Sequence, residues 1–395
     1  MSHKLREAIP LGVRRERGAF FTSSDLRSAA LVAWPGTDGP SGPVLDPAVG
    51  AGDLLIEVAQ SLPVFTGLDA TLDFWGAQLH GRDIEPSFVR LAKARLALLA
   101  ISRGAMPSAG PPLRLDDLFP GIAVGDGLDV LNDGWENGHI LMNPPFGYHS
   151  PELAVEWAKG RTNMAASFLA SAVEHSTAGT CLTAILPEVI RTGSRYGRLR
   201  AFVSERLRVI GVEPFGRFDS WTDVDVFTLR GVVTEATVEE ASGSVEWWQR
   251  SNGRRLGELF DVSVGSVVPH RDEESGEDHP YLQARQIPLG GEYDASEAEQ
   301  RRFVSRLFEP PFVVVRRTSR PADRARGVGT LIEGSVGVLV ENHLLVCKPK
   351  DGSIDSCRRA VAVLRSPESR AWLDQRIRCR HLTVGALREM PWLDR

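Results

Sequence analysis

The stretch Leu141-Met142-Asn143-Pro144-Pro145-Phe146-Gly147 constrains the chain most. His139-Ile140-Leu141-Met142 is an apolar run of strand length and predicts a short buried strand. Two consecutive prolines end it. Each lacks an N–H and fixes φ, so neither continues a sheet or sits inside a helix. Residues before proline are held extended. The backbone here is therefore stiff. It projects an amide side chain, a carbonyl and an aromatic ring from a strand end, the edge where open α/β sheets bind ligands.

Residues 44–59 read as strand, glycine turn and helix, with Asp46-Pro47-Ala48 before Gly50 and Gly52. Glycine lets backbone approach a ligand closely, and the helix start offers unpaired N–H groups. The turn lacks Gly-Lys-Ser/Thr, so it is no P-loop. It also lacks the third glycine of a dinucleotide fingerprint. His80-Gly81-Arg82-Asp83-Ile84-Glu85-Pro86 follows, ahead of a helix striped by Phe88, Leu91, Ala92 and Leu98. An acid at that strand end is placed to accept from ribose hydroxyls or to cap the helix. Val124 to Leu131 predicts another strand end with an acid, Asp126, and Asp129 competes with it.

Asn-Pro-Pro-Phe resembles the [D/N/S]-P-P-[F/Y/W] motif of amino-methyltransferases. Asp46 to Gly52 resembles the D-P-A-x-G-x-G loop that holds S-adenosylmethionine in N6-adenine DNA methyltransferases. Gly18-Ala19-Phe20-Phe21-Thr22-Ser23 is similar to their G-x-[F/Y]-[Y/F]-T-P segment, with serine in place of proline. These pieces follow one another in the order of the gamma group, and the resemblance covers roughly residues 20–230. It implies a doubly wound, Rossmann-like α/β methyltransferase domain over 1–240. It implies catalysis by Asn143, Pro144, Pro145 and Phe146. The cofactor would be held by Phe21, Thr22, Asp46, Pro47, Ala48, Gly50, Gly52, Asp83, Ile84, Asp126, Gly127 and Asn143. Within that set Asp46 falls to the ammonium, Asp83 to the ribose, and Asp126 to the adenine ring of the cofactor or to the target pocket. Asparagine at 143 points to adenine over N4-cytosine. C5-cytosine chemistry needs a Pro-Cys nucleophile, and no cysteine here follows proline.

A turn-rich stretch at 235–256 marks a boundary, and Trp247-Trp248 opens a second domain, 241–395. Its short strands and two late helices predict a smaller mixed α+β unit. Leu256 to Gly265, Tyr281 to Ile287, Asn342 to Leu345 and Leu382 to Pro391 loosely resemble DNA target-recognition domains. Charge bears on this. Residues 1–240 carry 22 Lys/Arg against 29 Asp/Glu, net −7, and 241–395 carry 24 against 22, net +2. Arg301, Arg302, Arg306, Arg316, Arg317, Arg320, Arg324 and Arg326 crowd one segment, and Arg191 to Arg208 hold another cluster. Local patches of this kind, more than net charge, meet phosphates. Phe218, Arg285, Arg316, Arg317 and Arg320 are the candidate nucleic-acid contacts. Phe215 and Phe218 lie in an expected loop, where the resemblance sets an aromatic against the target base and simple core packing is the favoured alternative.

The expected reaction is methyl transfer to adenine N6 of a base turned out of double-stranded DNA. A separate restriction endonuclease or defence-system subunit is a candidate partner. Ribosomal RNA adenine, a protein glutamine amide, or a non-catalytic DNA-binding subunit remain alternatives. Cys181, Cys347, Cys357 and Cys379 lack metal spacing, so no metal is expected. No apolar run approaches membrane-spanning length and no secretory segment is evident, so a cytoplasmic location is expected.

Overall fold

The computed structural model describes residues 24–31, 42–107, 114–136, 138–151, 155–218, 224–235, 247–248, 253–319 and 323–393. The chain divides into two compact units. One is Met1–Arg191 with Arg195–Val245; the other is Thr192–Ser194 with Glu246–Arg395.

The first unit is a doubly wound, Rossmann-like α/β fold. Its strands are β1 (Val44–Asp46), β2 (Leu79–Asp83), β3 (Ile122–Val124), β4 (His139–Met142), β5 (Cys181–Pro187), β6 (Leu207–Arg217) and β7 (Asp225–Val233). They form one sheet in the order β3-β2-β1-β4-β5-β7-β6. The pairs from β3 to β5 are parallel, and β7 runs antiparallel to both neighbours. The chain builds outward from β1 to β3 and then restarts at β4 on the other side of β1. The junction of β1 and β4 is thus the switch point, where crevices open beyond the carboxyl ends of the strands. Every residue of β1 and β4 is buried. That is why these strands read as near-continuous apolar runs, interrupted only by Asp46 and His139, rather than alternating ones.

The helices include α1 (Ser24–Leu31), α2 (Asp53–Ala59), α3 (Leu68–Gln78), α4 (Pro86–Ser102), α5 (Gly127–Asn132), α6 (Met164–His175) and α7 (Gly197–Arg206). Pro86 opens α4, where its missing N–H removes no helical bond. Leu54, Leu55, Leu72, Trp75, Val89, Leu96 and Leu141 share one core, and the Trp75 indole N–H donates to the Pro63 carbonyl at 2.8 Å. Two expectations shift. The stretch from Val124 to Leu131 is strand only at Val124, because Asp126 caps α5 by accepting from the Leu128 N–H at 2.9 Å. Phe215 lies within β6 rather than in a loop, because that strand continues to Arg217.

The second unit is mixed α+β. It contains β8 (Phe260–Val264), β9 (Glu274–Leu282), β10 (Glu292–Asp294), β11 (Gln300–Phe303), β12 (Phe312–Arg316), β13 (Gly329–Glu333), β14 (Leu339–Val340) and β15 (Leu344–Pro349). A five-stranded sheet runs β8-β15-β12-β13-β10, and a three-stranded one runs β11-β9-β14. In β12, Phe312 and Val314 face one core while Val313 and Val315 face another. The second of these cores is closed by α8 (Ile354–Leu364), α9 (Pro367–Arg376) and α10 (Val384–Arg388). Among the described residues no helix is long and apolar enough to cross a membrane.

Candidate active site

Asp46 ends β1 at 1% exposure, and its Oδ1 accepts from the Ala48 N–H at 3.0 Å. Burial pushes this carboxyl up to about 8, and the charges of Asp83 and Asp53 add to the rise. The chain then turns through Gly50 and Gly52, both at positive φ. A Cβ on Gly52 would stand 2.9 Å from the Ala92 Cβ, so only glycine lets the turn lie on α4. The Val49 N–H donates to the Arg82 carbonyl at 2.9 Å, which ties the turn to β2.

Asp83, the last residue of β2, holds the same turn from the other side. Its Oδ2 accepts from the Gly50 N–H at 2.9 Å and its Oδ1 from the Glu85 N–H at 2.9 Å. Burial raises its pKa against the pull of those two bonds. A carboxylate oxygen has a second lone pair, so both oxygens retain acceptor capacity. Ile84 beside it is 71% exposed, an apolar side chain left in the open at a strand end. Across the crevice Gly127 starts α5. A Cβ there would meet the Pro47 carbonyl oxygen at 1.7 Å, so α5 presses directly on the Asp46–Gly52 turn. Asp126 and Asp129 are both exposed, and Asp126 is the one at the strand end.

Beyond β4, Asn143 is half-buried, Pro144 buried, and Pro145 and Phe146 half-buried. Phe146 is held on two sides. Its carbonyl accepts from the Asn163 Nδ2 at 2.7 Å, and its ring meets Phe218 edge-on at 5.5 Å. The Gly147 carbonyl accepts from the Met164 N–H at 2.7 Å, and residues 148–149 pair antiparallel with 162–163. Asn163 also caps α6, its Oδ1 accepting from the Ala165 N–H at 3.0 Å. One residue thus fixes both the helix start and the proline loop. Sequence reasoning passed over it, although an asparagine just before an apolar helical run is a cap signal.

Arg95 and Asp53 were also missed. Their side chains are 6% and 8% exposed and meet at 2.8 Å, and Arg95 donates as well to the Ala51 carbonyl inside the glycine turn. Arg27 joins Asp53 at 3.9 Å and Glu57 at 3.2 Å. This ion network clasps the turn from beneath.

The structure therefore brings Asp46 to Gly52, Asp83, Ile84, Asp126, Gly127 and Asn143 to Phe146 to the carboxyl ends of β1 to β4. Phe21 and Thr22 lie outside the described residues, as does Arg320. Phe218 is corrected: at 1% exposure it belongs to the core behind Phe146 and presents no surface. The arginine cluster of the second unit is also not one patch. Arg302 makes a bidentate pair with Asp278 at 2.8 Å, and Arg301 pairs with Glu274 at 2.6 Å. Arg326 is buried and donates to the carbonyls of Ser319, Ile377 and Cys379. Arg316 and Arg317 are half-buried and donate to the carbonyls of Ile287 at 2.8 Å and Asn342 at 3.4 Å, whereas Arg285 is exposed. Among the described residues no group of three His, Cys, Asp or Glu is placed to hold a metal.

No family model matches the sequence, and no curated protein matches it. Solved structures do. The DrdV–DNA complex is 12% identical, with 99% of this chain and 57% of that chain covered at a TM-score of 0.49. The type IIG restriction endonuclease BpuSI is 14% identical, with 96% and 59% covered at 0.46. The M protein of the type I restriction enzyme EcoKI is 18% identical, with 55% and 44% covered at 0.40. The chain spans 43% to 65% of the length of such structures. None of these three reaches a TM-score of 0.5.

Proposed function

We infer that the first unit is an S-adenosylmethionine-dependent methyltransferase acting on adenine N6 of a base turned out of double-stranded DNA, and that the second unit contributes DNA recognition. One observation carries the reading. An acid-led glycine turn, a second strand-end acid and an Asn-Pro-Pro-Phe loop, far apart in sequence, share one edge at the sheet's switch point.

The residues fit the cofactor. Gly50 leaves open space beside the turn, where an added Cβ would meet only the Ala48 carbonyl oxygen, at 4.0 Å. Asp83 keeps lone pairs for two ribose hydroxyls, and Ile84 offers apolar surface to a ring. Asp46, buried and close to neutral, is a carboxyl that a cationic ammonium would ionise. Asp126 stands at the next strand end for the adenine amine. When bound, S-adenosylmethionine supplies an electrophilic methyl group on a sulfonium.

The remaining work falls to the proline loop. An exocyclic amine is a poor nucleophile because its lone pair is delocalised into the ring. The Asn143 side-chain oxygen and the Pro144 carbonyl accept from its two hydrogens and draw the nitrogen toward a tetrahedral state. Phe146 stacks on the base, an interaction worth about 1–3 kcal/mol. The two prolines and the Asn163 clamp hold these acceptors before substrate arrives, so orientation is built in rather than acquired. Turning the base out costs a few kcal/mol.

The test is methyl transfer from labelled S-adenosylmethionine to unmethylated bacterial DNA, followed by nucleoside analysis. N6-methyladenine from the wild type and none from Asn143→Ala is expected. Label in RNA or protein instead, or cofactor binding with no transfer, would replace this reading. A restriction or defence partner would then be sought by co-purification.

A further inference from the structure

The arginine cluster from Arg191 to Arg208 divides by what each guanidinium meets. Arg191 is buried against Glu188, Arg200 donates to the Ile190 carbonyl at 2.9 Å, and Arg206 pairs with Glu156 and Glu205. Arg195 is different. It is exposed, and it donates to the carbonyls of Lys159, at 3.2 Å, and Arg161. Carbonyls fix a side chain without cancelling its charge. Lys159 and Arg161 are exposed too. Among the described residues none of the three pairs with a carboxylate. Three uncancelled cations therefore stand together in a stretch, residues 1–240, whose net charge is −7.

They stand beside an exposed ring. Tyr148 lies two residues past Phe146 and is 49% exposed. The Arg161 guanidinium carbon lies over it, 5.9 Å from the ring centroid. Such a contact contributes about 0.5–1 kcal/mol at an exposed site. It orients the guanidinium and leaves its charge in place. Successive side chains of a strand alternate, and His149 turns the other way, its Nε2 2.7 Å from the Ser167 Oγ.

The group is tied to the proline loop. Tyr148 pairs with Asn163 across the short hairpin, and the Asn163 side chain holds the Phe146 carbonyl. Tyr196, next to Arg195, is 3% exposed, and its hydroxyl accepts from the Asn163 N–H at 3.2 Å. Asn163 thus joins the cations and the proline loop into one piece. An exposed aromatic ring among uncancelled cations suits a nucleic-acid strand, since the charges meet phosphates and the ring packs on a base.

We propose that Lys159, Arg161 and Arg195 hold phosphates of the DNA strand that carries the target adenine, and that Tyr148 packs on the nucleotide next to that adenine. This rests on the methyl-transfer reading and adds the path of the strand past the site. It also gives the first unit part of the grip on DNA, which the sequence assigns to the second.

The test is filter binding of the full chain to fragments of unmethylated bacterial DNA, from 50 to 200 mM salt, alongside methyl-transfer kinetics. Lys159→Ala and Arg161→Ala should each weaken binding about five- to tenfold and reduce the slope of log K against log salt by about one. Tyr148→Ala should weaken binding with the slope unchanged, and Tyr148→Phe, which keeps the ring, should bind as wild type does. Arg208→Ala removes another exposed arginine of the same cluster and should alter neither quantity. The KM for cofactor should not move in any variant, and circular dichroism checks folding. Lys159 is an exposed loop residue, so its variant decides the matter even where those at Tyr148 do not fold. Unchanged affinity and slope in Lys159→Ala and Arg161→Ala, or an equal loss in Arg208→Ala, overturn the proposal. The methyl-transfer reading fails separately: a wild type that binds DNA through these residues and forms no N6-methyladenine overturns that reading and leaves the strand contact standing.

Discussion

Asn143 is half-buried and Asp46 buried, and they differ in whether they titrate. Asn143 contributes a fixed, neutral acceptor. In the proposed mechanism, replacing it with alanine removes an interaction needed in the transition state, so kcat should fall by at least about 10²-fold, typical of losing one preorganised group. Cofactor affinity, read by calorimetry, should change far less. Asp46 is different because its charge depends on pH. Its pKa rises from 3.8 in the unfolded chain to about 8 in the folded one, chiefly through burial. The folded state therefore prefers the proton. The stability this gives is complete below pH 4 and is lost as pH rises through 8. Asp46→Asn stays neutral and can still accept from Ala48. Its advantage over wild type in urea denaturation should widen between pH 4 and 8 by at most about 1.4 kcal/mol per pH unit, then level off. A pH-independent difference would mean that the carboxyl is not held neutral.

At the scale of elements, the site depends on two ties that bear no reacting group. The Arg95–Asp53 pair is buried, and removing one partner of such a pair leaves the other charge stranded. Arg95→Ala should cost about 3–5 kcal/mol in chemical denaturation. Asn163→Ala removes a helix cap, worth about 1 kcal/mol, and also frees the Phe146 carbonyl. It should lower kcat about tenfold with little effect on KM for cofactor, whereas a purely structural cap would lower stability alone. What was legible in the sequence follows the same division. Strands β1, β4, β5 and β12 announce themselves because both faces are buried and most positions are apolar. The glycine turn and the proline loop are legible because their backbones tolerate few other residues. Strand β9 was missed over Glu274–Pro280 because four of its seven residues there are polar or charged and exposed. The Arg95 and Asn163 ties were not read, since an arginine's partner 42 positions away leaves no local pattern. The arginine cluster misled for the converse reason: adjacency in sequence says nothing of which guanidinium groups already have carbonyls or carboxylates to serve.

For the whole molecule, a net charge of −5 sets the terms on which the proposed DNA binding would occur. Attraction must come from particular cations working against an unfavourable mean field, so binding should be strongly salt-dependent. Each phosphate contact contributes about −0.9 to the slope of log K against log salt. Arg285→Ala should reduce that slope by about one if Arg285 meets a DNA phosphate, as gel-shift titrations from 50 to 200 mM salt would show. Arg302→Ala, which breaks the pair with Asp278, should leave it nearly unchanged.

The strand order has a consequence in time as well as in space. Val44 pairs with His139 through β1 and β4, although the chain between them must first complete β2, β3 and four helices. Parallel pairings across such separations form slowly, because loop closure must precede any reward from contact. The crevice at that junction is then among the last features to exist during synthesis or refolding. A chain stopped before β4 carries the glycine turn with no wall opposite it. Recovery of ligand binding after dilution from denaturant should accordingly lag the recovery of helical signal.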